Sequence, residues 1–183
     1  MAGTPQPGDV FAVRSPGTAG RLIRFGAALR ELVTGSTEPN LDNHIAIVHH
    51  TDKAGTLWVL EGRPGGVGWR DANDYLKSPW TVTNVGQPKT DAQRKQICGI
   101  AEAMIGTAYD WAAIAEDGAL AFGLKDIWTE KPGGQVPAHI VCSSLAAYAY
   151  DKAAVPAPAG PGDYRHVSPA DWVAFILSNR WEG

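Results

Sequence analysis

Cysteine is scarce in this chain: Cys98 and Cys142 are the two thiols among 183 residues. Two thiols without a C-x-x-C spacing form neither a disulfide framework nor a zinc ribbon, and they suit a reducing compartment. Long apolar runs are missing as well, since nowhere do the roughly 18 consecutive apolar residues of a spanning helix occur. The segment Met1 to Asp9 has no basic patch followed by an apolar stretch, so no secretory signal is expected. The expected setting on these grounds is cytoplasmic. Basic runs are absent, and a formal net charge of −3 offers nucleic acid no electrostatic footprint. No pair among His44, His49, His50 and Cys142 has the spacing that sets two metal ligands on a helix, so neither metal nor cofactor is expected. Neither a repeat nor a break in composition divides residues 1–183, which are expected to form one domain.

What is present is an ordinary globular mixture, 44% hydrophobic and 19% charged. The seven tryptophans are scattered, which suits core and cleft walls better than a stacking platform. Val10 to Val13, opened by Gly8-Asp9, reads as a short strand. Leu22, Phe25, Leu29, Leu32 and Val33 recur at helical spacing and predict an amphipathic helix over 18–33, with Arg21, Arg24 and Arg30 on its solvated side. His44 to His50 is a β-branched run, Thr51 to Gly55 is turn-like, and Leu57 to Glu61 is a second strand; together they read as a hairpin. A third short strand is expected over 67–70, a brief helix over 71–76 and a strand over 80–85. Thr90 or Asp91 caps the next helix, Ile97, Ile100, Ala101 and Met104 form its stripe, and Gly106 stops it. Cys98 lies beside that stripe and reads as a packing residue.

Thr107 to Asp110 leads into a further expected helix running to about Phe122. Residues 123–138 lack periodicity, and Lys131-Pro132-Gly133-Gly134 signals a loop, making this segment a candidate lid or rim. The prolines and glycines of 155–162 mark a connector. Ser168-Pro169-Ala170-Asp171 then opens the last helix, with serine as cap, proline at its first position and an acid at its third.

Between these segments lies the stretch Val136 to Lys152, small and apolar on nearly every side from Ile140 onward, as in a helix packed within a protein. Pro137 discourages helix before it, so the helix is expected to begin near His139 or Ile140, with Cys142 in its first turn. There the unpaired backbone N–H groups and the helix dipole favour thiolate over thiol. A small buried residue filling a helix contact is the competing reading.

A thiol nucleophile needs a base within hydrogen-bond reach and a third group to orient that base. His139 stands at a helix entrance, His49 and His50 at a hairpin turn and His166 in a polar connector, all places where solvated histidines are common. His44 instead opens an apolar strand, and Glu61 is available to orient it. If Val48 faces Val59, His44 and Glu61 share a face of the sheet as diagonal neighbours; a slip of one residue separates them. Ser143 and Ser144 lack the G-x-S-x-G elbow of serine hydrolases.

Gly8-Asp9-Val10, Asn43-His44-Ile45-Ala46-Ile47-Val48 and Leu60-Glu61-Gly62 with Gly66-Val67 beyond, followed by Gly106-Thr107-Ala108-Tyr109-Asp110 and Cys142-Ser143-Ser144-Leu145, resemble in order and spacing a circularly permuted papain-like hydrolase. The family is the permuted NlpC-type group, which contains the YiiX/YaeF-like bacterial enzymes and, more distantly, lecithin retinol acyltransferase. In it the histidine precedes the cysteine, as His44 precedes Cys142 here. The resemblance covers about residues 8–178. It implies an α+β fold, a small antiparallel and partly barrel-like sheet with the nucleophile-bearing helix packed against it. It also implies Cys142 as nucleophile, His44 as base and then acid, Glu61 as orienting group, and Tyr109 beside the thiol as a donor to the oxyanion, with the Cys142 N–H in the oxyanion hole. The 123–138 insertion departs from the family pattern and bears on the cleft. The activity implied is cleavage of an amide through a Cys thioester, with a cell-wall peptide as substrate. An acyltransferase or lipid thioesterase on the same site, and a non-catalytic structural or virion domain retaining the fold, are the alternatives.

Overall fold

Alternating β-branched and aromatic residues build a five-stranded antiparallel sheet from β1 (Val10–Val13), β2 (His44–Thr51), β3 (Leu57–Arg63), β4 (Gly66–Asp71) and β5 (Val82–Thr83), in the spatial order β4-β3-β2-β1-β5. The computed structural model describes residues 3–14, 44–77, 81–110, 137, 139–165, 167–179 and 181. Four helices accompany the sheet among these residues: α1 (Asn73–Lys77), α2 (Asp91–Ala103), α3 (Cys142–Lys152) and α4 (Pro169–Asn179). Two-residue strands β6 (Ala108–Tyr109) and β7 (His139–Ile140) pair in parallel just ahead of α3. The architecture is α+β, as expected. Among the described residues the sheet is not closed into a barrel, which corrects the partly barrel-like expectation: β4 and β5 stand at its two edges.

The period-two alternation of the strands divides the core in two. One face carries Val10, Ala12, Ile45, Ile47, Leu60 and Val67 against α2, α3 and α4. The other carries Phe11, Val13, Ala46, Val48, Leu57 and Val59 beneath Ala72 and Tyr75 of the α1 region. Every residue of α3 from Cys142 to Tyr150 is buried, so this helix runs through the interior, and its serines and alanines give it room there.

Both helix caps expected from the sequence are present. Thr90 and Gln93 close a reciprocal capping box at α2, and Ser168 exchanges hydrogen bonds with Asp171 at α4. Cys98 is buried in α2, its thiol 3.7 Å from the Val48 carbonyl oxygen. The strand expected over 80–85 shortens to Val82–Thr83. Ala108–Tyr109 pairs with His139–Ile140, and α3 accordingly starts at Cys142, not at His139 or Ile140. The helices expected over 18–33 and 111–122 and the lid segment 123–136 lie outside the described residues.

A buried polar network ties the start of the chain to the interior. The Tyr150 hydroxyl donates to the Gly8 carbonyl at 2.5 Å and accepts from Asn84 at 2.7 Å, while Asn84 Oδ1 accepts the Val10 N–H at 2.7 Å. Asp9 accepts from Lys89 Nζ at 2.8 Å and from Arg94 at 2.9 Å, with the Lys89 side chain 0% exposed. Removing one partner of a buried pair leaves the other charge without compensation, at a cost of roughly 3–5 kcal/mol. Asp9→Ala is therefore expected to lower unfolding stability by about that amount, read as a lower urea midpoint at unchanged slope. A loss below about 1 kcal/mol contradicts this account of the network.

Candidate active site

The site is built where β2 and β3 part. Their pairing runs from Thr51↔Leu57 and His50↔Trp58, across a bulge, to Val48↔Val59 and Ile47↔Leu60. Among the described residues it goes no further, although β2 continues to His44 and β3 to Arg63. The first residue of α3 sits in the gap. A methyl group on Gly62 would lie 3.2 Å from the Cys142 nitrogen and 3.4 Å from its Cα, so any larger residue would press the helix start back by a few tenths of an ångström. Val48 exchanges backbone bonds with Asp9 and Gly8 on the β1 side. Alternation along the strand turns the Ile45 N–H toward β3. With no β3 rung opposite, that N–H donates to the Cys142 sulfur.

The bulge decides which side chains meet. Counted straight from the turn, the pairing Thr51↔Leu57 and His50↔Trp58 would set Glu61 opposite Ile47, on the face away from His44. The residue inserted at His49 shifts the register by one, so that Val48 faces Val59 and Glu61 falls on the His44 face. There His44 Nε2 lies 2.7 Å from Glu61 Oε2, with both side chains buried. Glu61 Oε2 also accepts the Tyr75 hydroxyl at 2.8 Å, and Oε1 accepts Nε of Arg70 at 2.9 Å and Nε of Arg63. Burial raises the Glu61 carboxyl, but the bonds and charges of His44 and Arg63 outweigh it and hold the group down to about 2.

Cys142 is the first residue of α3, and the preceding Val141 supplies no side-chain cap. The Ser143 N–H of that uncapped turn donates to the sulfur alongside the Ile45 N–H. The imidazole of His44 hydrogen-bonds the same sulfur. Since Nε2 faces Glu61, Nδ1 is the ring nitrogen left for it. Burial pushes the Cys142 thiol up, and the charge and hydrogen bond of His44 with the two backbone N–H groups bring it below its ordinary value. Burial likewise lowers His44, but the Cys142 thiolate first and Glu61 second carry it up to about 9. A lowered thiol beside a raised imidazole favours the thiolate–imidazolium pair, the reactive form of a cysteine nucleophile.

Tyr109 of β6 is held above the usual phenol range by burial, with the charge of Cys142 adding to the shift and that of Arg63 opposing it. Of the residues singled out in the sequence, Cys142, His44 and Glu61 thus form one hydrogen-bonded series, and Tyr109 lies within reach of the thiolate's field. His49 and His50 stand at the other end of the hairpin, their Nδ1 atoms 3.0 Å apart and their rings edge-on to Trp69. His166 lies outside the described residues. Arg63, Arg70 and Tyr75 were not foreseen as site residues. Arg63, two positions past Glu61, shares its face by simple alternation, whereas Arg70 and Tyr75 arrive from β4 and α1. No group of three or more His, Cys, Asp or Glu side chains able to hold a metal ion occurs among the described residues. The chain matches no protein-family model and no curated protein.

Two outcomes follow. The ultraviolet absorbance of thiolate should rise in two separated steps with pH, one below the ordinary thiol value of 9.0 for Cys142 and one near the value of about 11 to which burial pushes Cys98. A single step at or above the ordinary value contradicts the ion pair. Gly62→Ala should displace the start of α3 and slow alkylation of Cys142 roughly tenfold. Its cost in stability should stay within about 1–3 kcal/mol. Unchanged alkylation would show that the close approach has no bearing on the thiol.

Proposed function

We propose that the chain is a cysteine hydrolase that cleaves an amide bond through a thioester on Cys142. The observation that carries this reading is the buried series Cys142–His44–Glu61, in which the thiol is lowered and the imidazole raised. In the reaction proposed, the thiolate attacks the carbonyl carbon, and the resulting oxyanion takes the Cys142 N–H and the Tyr109 hydroxyl as donors. His44 gives its proton to the departing amine as the C–N bond breaks and the thioester forms. Now neutral, it takes a proton from water, which adds to the thioester; collapse expels the thiolate and leaves His44 protonated again. Glu61 holds the ring in place throughout.

The substrate class proposed is a peptide of the bacterial cell wall, after the resemblance to permuted NlpC-type enzymes. Delivery by a phage virion or a lysis event would bring the chain to such a substrate. No helix among the described residues is long and apolar enough to cross a membrane.

Wild type and Cys142→Ala assayed side by side on peptidoglycan fragments and on acyl esters test the proposal. Hydrolysis of the fragments that falls at least about a thousandfold in the variant supports it. Turnover confined to esters, with the acyl group passed to an added acceptor, replaces amide hydrolysis by acyl transfer. Activity equal in the two proteins overturns the assignment of the nucleophile. Hydrolysis by the wild type should rise with pH through the lowered thiol value and fall as the imidazolium is lost near 9; a rate still climbing above that pH contradicts His44 as the acid.

A further inference from the structure

We propose that Tyr75 and Arg70, with Arg63, are positioning residues that lock Glu61 as a permanent acceptor and so fix which nitrogen of His44 titrates. The inference rests on the reading of Cys142 and His44 as nucleophile and base. Its basis is the division of labour between the two carboxylate oxygens. Oε1 takes the guanidinium groups of Arg63 and Arg70, and Oε2 takes the Tyr75 hydroxyl together with His44 Nε2. The hydroxyl is itself aimed, because it accepts from Arg63 while it donates to Glu61.

Four donors fill the roughly four lone-pair sites of a carboxylate. The carboxylate cannot turn without breaking several of these bonds at once, and it has no place for a proton. An ionised acceptor on Nε2 requires Nε2 to carry its hydrogen in every state of the ring. Nδ1, on the sulfur side, is then the nitrogen that gives and takes the catalytic proton. Besides His44 of β2, the donors come from three elements: Arg63 from β3, Arg70 from β4 and Tyr75 from the five-residue helix α1.

The same arrangement limits what Glu61 does. Two guanidinium charges exceed its single negative charge, and Cys142 outranks Glu61 among the influences that raise His44. Glu61 therefore orients the imidazole more than it charges it. Other groups acting on the ion pair are Tyr109 from β6 and the backbone N–H groups of Ile45 and Ser143.

The test compares wild type, Tyr75→Phe, Arg70→Gln and Arg70→Lys by nitrogen NMR of ring-labelled histidine, by thiolate absorbance across pH, and by iodoacetamide alkylation of Cys142. Wild type should pass from imidazolium to the Nε2–H tautomer near pH 9. Tyr75→Phe should give a mixture of tautomers above that transition and alkylate Cys142 roughly tenfold more slowly, the scale of one lost hydrogen bond to a charged group. Arg70→Gln should do the same more weakly, with Arg70→Lys restoring part of the loss. Arg70 is half exposed, so its variants serve if Tyr75→Phe does not fold. Variants with wild-type tautomer, transition and alkylation rate overturn the inference. A wild type without thiolate below the ordinary thiol range overturns the underlying reading of the pair instead.

Discussion

The parting of two strands governs this molecule. β2 and β3 pair as far as Ile47 and Leu60 and then separate, and the uncapped start of α3 occupies the space between them. A strand N–H that would otherwise need a partner finds the Cys142 sulfur, and the unpaired donors of the helix start face the same atom. A buried N–H left without a partner is costly. A helix end buried without a cap is costly as well. Each deficit supplies part of the remedy for the other, and the atom that meets both is the Cys142 sulfur.

A lowered thiol is tolerable inside the protein because each charge around it has a partner of opposite sign. Thiolate and imidazolium compensate each other, and Glu61 is compensated by Arg63 and Arg70. The opposite end of β1 follows the same rule with Asp9, Lys89 and Arg94. Isolated buried ions would shift their protonation until they were neutral. Here each has a hydrogen-bonded counterion, which holds the Glu61 carboxyl and the Cys142 thiol below their ordinary values at the same depth.

Much of this was legible in the chain itself because it depends on local signals. Alternation marked β1 to β4, Thr90 and Ser168 marked two helix starts, and the burial expected around Cys142 is that of α3. The meeting of His44 with Glu61 required a register that the sequence left open. Counting from the turn alone gives the wrong face, and the bulge at His49, with no glycine or proline to announce it, gives the right one. Pairing of β6 with β7 was hidden for a related reason. Two-residue strands carry no periodicity, and their partnership displaced the start of α3 to Cys142. Arg70 and Tyr75 reach Glu61 only through the β3–β4 pairing and the placement of α1, which no local pattern encodes.

Charge, not exposure, should separate the two cysteines. Cys142 is 3% exposed and Cys98 is 7% exposed, so access alone favours Cys98. Peptide mass spectrometry after brief iodoacetamide treatment near neutral pH, on wild type and on His44→Ala, measures the difference directly. Cys142 should be labelled well ahead of Cys98 in the wild type and lose that lead in the variant. Slow and equal labelling of both thiols in the wild type would contradict it.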